Sequence, residues 1–470
     1  MSAVPESSFQ AATSLSQQFG QYATGFDLDQ VPGEVREYAA LCMADAIGIG
    51  FASHSYDFAP VSVKALAGLA GQGEYPVIGT RLKLPPRDAA LTNGLLIHGL
   101  DFDDTHVGAV IHASTSAVPL VLVEATRFGA SGKRALAAYI LALEIDARIG
   151  QVAQGMLQKI GFHPTGMVGI FGCAVAAGYL GGLDELQLAR AQGIALSMAS
   201  GSLEFLEDGS WTKRMHPGWA ASSAITAAAM AGGGFVAPLN AYEGRYGLYK
   251  LYLQGQDLDA SGIAEDLGRN WEVPRVAIKP YPVCHFNHSS IDSMLELIKT
   301  HHLKPDDIKS ATVLIHEKQA DVVCRPEQAK RRPQNDYEAK FSVHFAVAAA
   351  AVRGRFTLAE LEDDARQDPE ILTLCDRITF RHDPESRYPQ YYSGGLVVET
   401  TDGRTLEHRE PINRGADSRA LSYEDVKRKF DGNVSRHLTE PQAERVWNAV
   451  IGLADAPDLT ELNQAIAARR

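Results

Sequence analysis

From Ser116 to Ser200 the chain is almost wholly helical in pattern, and this run limits the folds open to it. Ala, Leu, Ile and Gly dominate Leu136 to Ile149, Val168 to Leu180 and Leu186 to Ala199. Residues this small let helix axes approach closely, so the pattern predicts a dense bundle of buried helices. β-Branched alternation is too sparse here for a sheet. Asp184, two residues before Leu186, is the expected N-cap. Further helices are expected over Val35 to Ala52, Ala59 to Leu69 and Ala220 to Ala231. A hydrophobic fraction of 45% over 470 residues supplies large cores, and the length suggests two or three domains.

The pattern changes after Trp271. Ile308 to His316 alternates as a strand should, and Arg377 to Arg381 reads as a second. Leu396 to Arg409 holds two alternating runs with Asp402-Gly403 between them, which predicts a β-hairpin. Helices return at Ile291 to Lys299 and Phe341 to Val352. The last part, Tyr423 to Ala468, is helical and short for an independent domain, so it is expected to pack on the N-terminal bundle. The fold class is therefore mainly α with an inserted α+β domain. Residues 1–270 and 411–470 form the helical part and 271–410 the α+β part.

Into this apolar frame the sequence sets a polar stretch, Asn93 to Thr115, with three aspartates and three histidines. Buried unpaired charges cost several kcal/mol each, roughly, so such groups need partners or a cleft. Leu95, Leu96, Ile97, Leu100, Val110 and Ile111 argue against full exposure. His98, Asp101 and Thr105 would share one face if the helix before them continued. The expected picture is a polar cluster at the end of a buried helix, lining a cleft. A satisfied structural network is the alternative.

Four further islands stand out. Gly161-Phe162-His163-Pro164-Thr165-Gly166 opens a helix, where free N–H groups favour anions. Trp211-Thr212-Lys213-Arg214-Met215-His216-Pro217-Gly218 reads as a basic loop before a helix, and its cations could hold a carboxylate. Lys279-Pro280-Tyr281-Pro282-Val283-Cys284 leads into His285 and His288, whose i, i+3 spacing lacks a third ligand for a metal. Lys340 to His344 begins another helix. Cys284 has no evident base to activate it as a nucleophile.

Other classes are excluded. A net charge of −13 disfavours nucleic-acid binding, and an anionic substrate would need a local basic pocket. Five scattered cysteines without a Cys-x-x-Cys pair read as reduced thiols in a cytoplasm, not as a zinc ribbon or iron–sulfur site. The N-terminus lacks the basic and apolar regions of a signal peptide, and no unbroken 18-residue apolar run predicts a membrane span. Gly-x-Ser-x-Gly and the phosphate-binding Gly-x-x-x-x-Gly-Lys motif are both absent.

Taken in order, Asp-Phe-Asp-Asp-Thr with His112, Gly-Phe-His-Pro-Thr-Gly, Lys-Arg-Met-His-Pro-Gly, Lys-Pro-Tyr-Pro-Val-Cys and Glu-Ala-Lys-Phe-Ser resemble the MmgE/PrpD family from about Val35 to Phe430. The resemblance implies a large helical domain built from both chain ends, a smaller α+β domain, a homodimer, and neither metal nor organic cofactor. It implies a lyase for a small di- or tricarboxylic acid, like 2-methylcitrate dehydratase. Epimerisation or decarboxylation of a related acid, or carboxylate binding without catalysis, are the alternatives. Carried over by motif, Asp101, His112, His163, Lys213 and Lys279 are the catalytic candidates. Thr105, His216, Cys284 and His288 are the substrate-binding ones. Two departures weigh against cis-aconitate decarboxylation. Cys284 stands where the decarboxylase branch has a histidine, and Ala113-Ser114 follows His112 where many members have Pro-Ser.

These residue types suit one chemistry. Removing a proton beside a carboxylate needs a base within hydrogen-bond reach and cations for the charge that grows on oxygen. Asp101 or His112 can be the base, His163 can donate to a leaving group, and Lys213 and Lys279 can bind carboxylates as point charges.

Overall fold

The computed structural model describes residues 13–254, 256 and 258–468. The N-terminal stretch read for a signal peptide lies outside these. Among the described residues of the first half, seven helices frame the site: α1 (Gly33–Ala52), α2 (Pro86–Ile97), α3 (Ser114–Arg127), α4 (Gly132–Val152), α5 (Pro164–Leu180), α6 (Glu185–Ala195) and α7 (Thr212–Gly232), and Phe58–Ala70 is helical as expected. Asp184 caps α6 as expected, its side chain accepting from the Gln187 N–H at 2.8 Å in a capping box. Small residues set the spacing. A Cβ on Gly94 of α2 would lie 2.5 Å from the Gly218 Cα of α7, so these two helices touch backbone to backbone.

Two expectations fail locally. α2 stops at Ile97, so His98, Asp101 and Thr105 do not share a helical face. Asp101 instead turns with φ of +52°, and Thr105 sits in a two-residue strand. The island from Thr212 to Gly218 is the start of α7, not a loop before it. Pro217 and the charged residues suggested a break. Pro217, the sixth residue of α7, lies inside the helix and gives up one backbone hydrogen bond, and burial of the face against α2 outweighs both that loss and the polarity.

The second half carries a four-stranded mixed sheet of β1 (Ile308–Ile315), β2 (Ile378–His382), β3 (Gly394–Thr400) and β4 (Thr405–Glu410), in the order β2-β1-β3-β4. β1 runs parallel to β2 and antiparallel to β3, and β3–β4 is the expected hairpin, with Gly403 at φ of +88° in its turn. α8 (His288–His301) packs on the sheet and α9 (Val343–Arg353) on α8. The chain then returns through α10 (Tyr423–Val434) and α11 (Glu440–Ile451). α10 lies against α1, close enough that a Cβ on Gly48 would meet the Phe430 ring at 2.8 Å.

Two hydrophobic cores result. One gathers side chains from Leu15 to Ile278 and again from Leu421 to Ile466, and the other is drawn from Ala277 to Ala416 with Val107. Phe205, Tyr337 and Phe341 form a small cluster that joins elements of both halves. Among the described residues no helix is long and apolar enough to cross a membrane.

Candidate active site

The end of α2 and the loop after it bring the first island to the place where elements of both cores meet. Thr105 and His106 pair antiparallel with Val276 and Ala277, in the register Thr105 opposite Ala277. That pairing delivers Lys279, two residues on, to Asp101. From the other side, the Gly94–Gly218 contact sets the first turn of α7 above the same loop and delivers Lys213. The result is a bridged carboxylate: Lys213 Nζ donates to Asp101 Oδ1 at 2.6 Å and Lys279 Nζ to the same atom at 3.1 Å.

All three groups are buried. Burial alone would raise the Asp101 carboxyl, but Lys213, Lys279 and His112 outweigh it and hold the acid well below the usual carboxylate range. Burial would lower Lys279, and the Asp101 and Asp103 carboxylates outweigh that and raise it. So clamped, Asp101 is a firm anion and a reluctant base.

His112 is better placed to take a proton. Its Nδ1 lies 2.8 Å from the Asp104 carbonyl, which can only accept, so in the neutral ring Nδ1 carries the hydrogen and Nε2 the lone pair. Thr105 Oγ1 at 3.2 Å and Asp103 Oδ2 at 3.0 Å brace the same nitrogen. Nε2 stands 3.9 Å from Asp101 Oδ1.

Other imidazoles surround it. His98 Nδ1 donates to Asp103 Oδ1 at 3.0 Å, and burial pushes His98 down to about 4 despite that carboxylate. Burial would raise Asp103, yet His98 and His112 keep it well below its ordinary value. His163 is the N-cap residue of α5 without a side-chain capping bond. Its Nδ1 faces His216 Nδ1 at 3.0 Å, so one ring donates to the other. Burial, reinforced by Lys213, holds His163 well below its usual value, and burial takes His216 to about 4. His163 Nε2 and Asp101 Oδ2 are buried and have no protein hydrogen-bond partner, which leaves them for a ligand.

A cavity of ≈ 60 Å³ joins these groups. Asp101, Thr105, His112, His163, Lys213, Lys279 and Cys284 line it, with Val110, Phe205 and Phe341 as apolar walls. Val110, a β-branched residue at φ of +58°, adds a second strained position beside Asp101. Burial pushes the Cys284 thiol up to about 11, with Asp101 adding to the effect and Lys279 opposing it, so it lines the wall as a neutral group. His216 sits one layer back, behind His163. His288 is fully buried and lies outside the lining, its Nε2 donating to the Val283 carbonyl at 3.2 Å. His285 reaches the cavity instead and contacts Asn413 Nδ2 at 2.9 Å.

Carry-over by motif gave no role to His98 and Asp103, which the structure sets behind the cavity wall, with Asp103 between His98 and His112. Their signal was the packing of acids and imidazoles into the opening polar stretch, but their contacts depend on the turn at Asp101. Two trios offer ligand atoms within 4.8 Å of one another, His98–His112–His163 and His98–Asp101–Asp103. By distance these could hold a cation, which the spacing of His285 and His288 does not suggest.

An ionised carboxylate under two lysines, ringed by neutral imidazoles and walled by apolar side chains, has the groups that proton transfer on a small anion requires. The MmgE/PrpD N-terminal domain matches residues 17–261 and the MmgE/PrpD C-terminal domain residues 281–454, so the chain belongs to the MmgE/PrpD family. The second match runs across α10 and α11, which pack in the first core. Among curated relatives, cis-aconitate decarboxylase of Aspergillus terreus is 24% identical over 96% of both chains. The human cis-aconitate decarboxylase is 25% identical over 96% of this chain and 94% of its own. The 2-methylcitrate dehydratase of Salmonella typhimurium is 24% identical over 88% of this chain and 89% of its own.

Proposed function

We propose that the protein is a cofactor-independent lyase that removes a proton beside a carboxylate of a small di- or tricarboxylic acid. The observation that carries this reading is the Asp101 carboxylate shared by Lys213 and Lys279 next to the free Nε2 of His112. Substrate carboxylates would engage the lysines and the unpartnered His163 Nε2. His112 Nε2 would take the proton. A bound anion raises neighbouring imidazoles, so His163 could then protonate a leaving hydroxide. With the carbon–hydrogen and carbon–oxygen bonds broken, the products are an alkene acid and water.

Dehydration of a 2-methylcitrate-like acid is our first reading. Cys284, a neutral thiol in the wall, supports it over the histidine-lined decarboxylase pattern. Decarboxylation stays as the second reading because cis-aconitate decarboxylases are among the relatives that match over nearly the whole chain.

Proton NMR in deuterated water, with a panel of di- and tricarboxylic acids and excess chelator, tests this. A new alkene signal marks dehydration, loss of carbon dioxide marks decarboxylation, and exchange without net conversion marks epimerase-like chemistry. Binding without exchange for every acid would overturn the proposal. Activity lost with a stoichiometric metal on chelation would overturn its cofactor independence.

A further inference from the structure

Four consecutive backbone carbonyls around Asp101 each accept a hydrogen bond from a different cationic side chain. Arg214 Nε donates to the Gly99 carbonyl at 2.7 Å and Lys340 Nζ to that of Leu100 at 2.9 Å. Lys279 Nζ donates to that of Asp101 at 2.7 Å and Lys429 Nζ to that of Phe102 at 2.8 Å. The four cations come from four separate parts of the chain. The turn they hold is left-handed at Asp101, with φ of +52°, a conformation uncommon outside glycine.

Lys340 differs from the rest by gripping both sides of the cavity. It ends the short helix Asp336–Lys340 and is fully buried. Its ammonium holds the carbonyl just before Asp101. Its own carbonyl accepts from the Cys284 N–H at 2.9 Å and from Asn287 Nδ2 at 3.1 Å. Its remaining neighbours are weak, with Asp336 Oδ2 at 3.6 Å and the Tyr56 ring at 5.4 Å. Burial pushes Lys340 down to about 8, with Asp336 opposing and Arg214 adding to it. A methionine would fill the same space without that cost, so packing alone does not account for an ammonium here.

We propose that Lys340 is a positioning residue that fixes the Asp101 turn through the Leu100 carbonyl and the Cys284 loop through its own, setting the geometry across the cavity. This rests on the reading of Asp101 as part of the reactive site.

Lys340→Met, which keeps the backbone bonds and removes the ammonium, tests it in the full-length protein. With the acid that the wild type turns over, kcat should fall about ten- to a hundredfold, as misplacement of reacting groups does. KM should stay within about threefold, because the lysines that bind substrate remain. Cys284 is the cysteine that is not fully buried, so its alkylation by iodoacetamide reports the cavity without any substrate. Its rate should change by about threefold or more as the charge of Asp101 shifts relative to the thiol. A folded Lys340→Met with wild-type kcat and wild-type labelling overturns the proposal. If that variant does not fold, Asp336→Asn takes its place, because its buried Oδ2 faces both Lys340 and Arg214 while the side chain as a whole is a quarter exposed. A fall in kcat of about threefold or a comparable change in labelling is then expected, and a variant that shows neither overturns the proposal. If the wild type turns over no acid of this class, the proposed reaction has failed, and the labelling alone decides on Lys340.

Discussion

Lys213 bridges to Asp101 from the start of a helix and lines the cavity, so it meets the substrate before any bond breaks. Lys213→Met should therefore act mainly on KM, raising it by about tenfold or more with a smaller change in kcat, the signature of lost ground-state binding. Steady-state kinetics check this, and a fall confined to kcat would mean that Lys213 works only in the transition state. The cost to stability should be limited, since Lys279 still pairs Asp101. The sequence made much of this scale legible. Asp101, Thr105, His112, His163, Lys213, Lys279 and Cys284 were picked out as chemistry stranded in apolar surroundings, and one cavity gathers them. His98 and Lys340 stood in polar stretches but were given no role, and Asp103 and Lys429 none either, because they act on a carboxylate, an imidazole or a main-chain carbonyl across a turn. No spacing in the sequence encodes that turn. His288 shows the converse: a histidine beside the site is taken up by the Val283 carbonyl.

Among the elements, the α2–α7 contact carries most of the site's precision. A Cβ on Gly218 would meet the Leu91 carbonyl at 2.2 Å, and the obstacle is backbone, which cannot rotate away. Gly218→Ala should lower stability by about 1–3 kcal/mol or more and displace Lys213, reducing Tm and activity together. A variant with unchanged Tm would show that the helices can separate freely. At the start of α3, Asp104 sits against the Ser114 hydroxyl and backbone N–H. Burial raises this carboxyl to about 7 against those bonds, with Asp103 and Asp45 adding to the rise. A carboxyl raised in the folded state binds more protons there than in the unfolded chain, so its contribution to stability is lost as pH climbs through about 7. Asp104→Asn removes that loss. The variant's Tm relative to wild type should be higher at pH 8 than at pH 5 by about 2 °C or more. An equal or reversed difference would contradict the burial argument. Helix positions and the β3–β4 hairpin could be read from Ala/Leu periodicity and from Asp402-Gly403. The first turns of α7 could not, because charged residues and Pro217 look like a loop until their partners across the site are known.

For the molecule as a whole, we propose that the two hydrophobic cores mark the two domains expected from the pattern changes near Trp271 and Glu410. The return of α10 onto α1 gives a tail short for an independent domain a share in the first core. We also propose a homodimer. Trp211, Met215 and Trp219 follow one another at four-residue steps along α7 and its N-cap, and each is 42–44% exposed. Such an exposed apolar stripe is a natural contact face. Sedimentation at micromolar concentration should give about twice the chain mass of 50.8 kDa, and Trp219→Glu should shift it toward the single chain. A fully active wild-type monomer would refute the dimer.

We propose that His112, oriented by the Asp104 carbonyl, takes the substrate proton beside an Asp101 kept ionised by two lysines. It is tested most directly by solvent deuterium exchange into the bound acid, followed by NMR for wild type and for folded His112→Gln. Exchange should slow by about two to four powers of ten in the variant, the usual worth of a general base. Exchange at the wild-type rate would remove His112 from the chemistry and leave the cluster as a buried structural network.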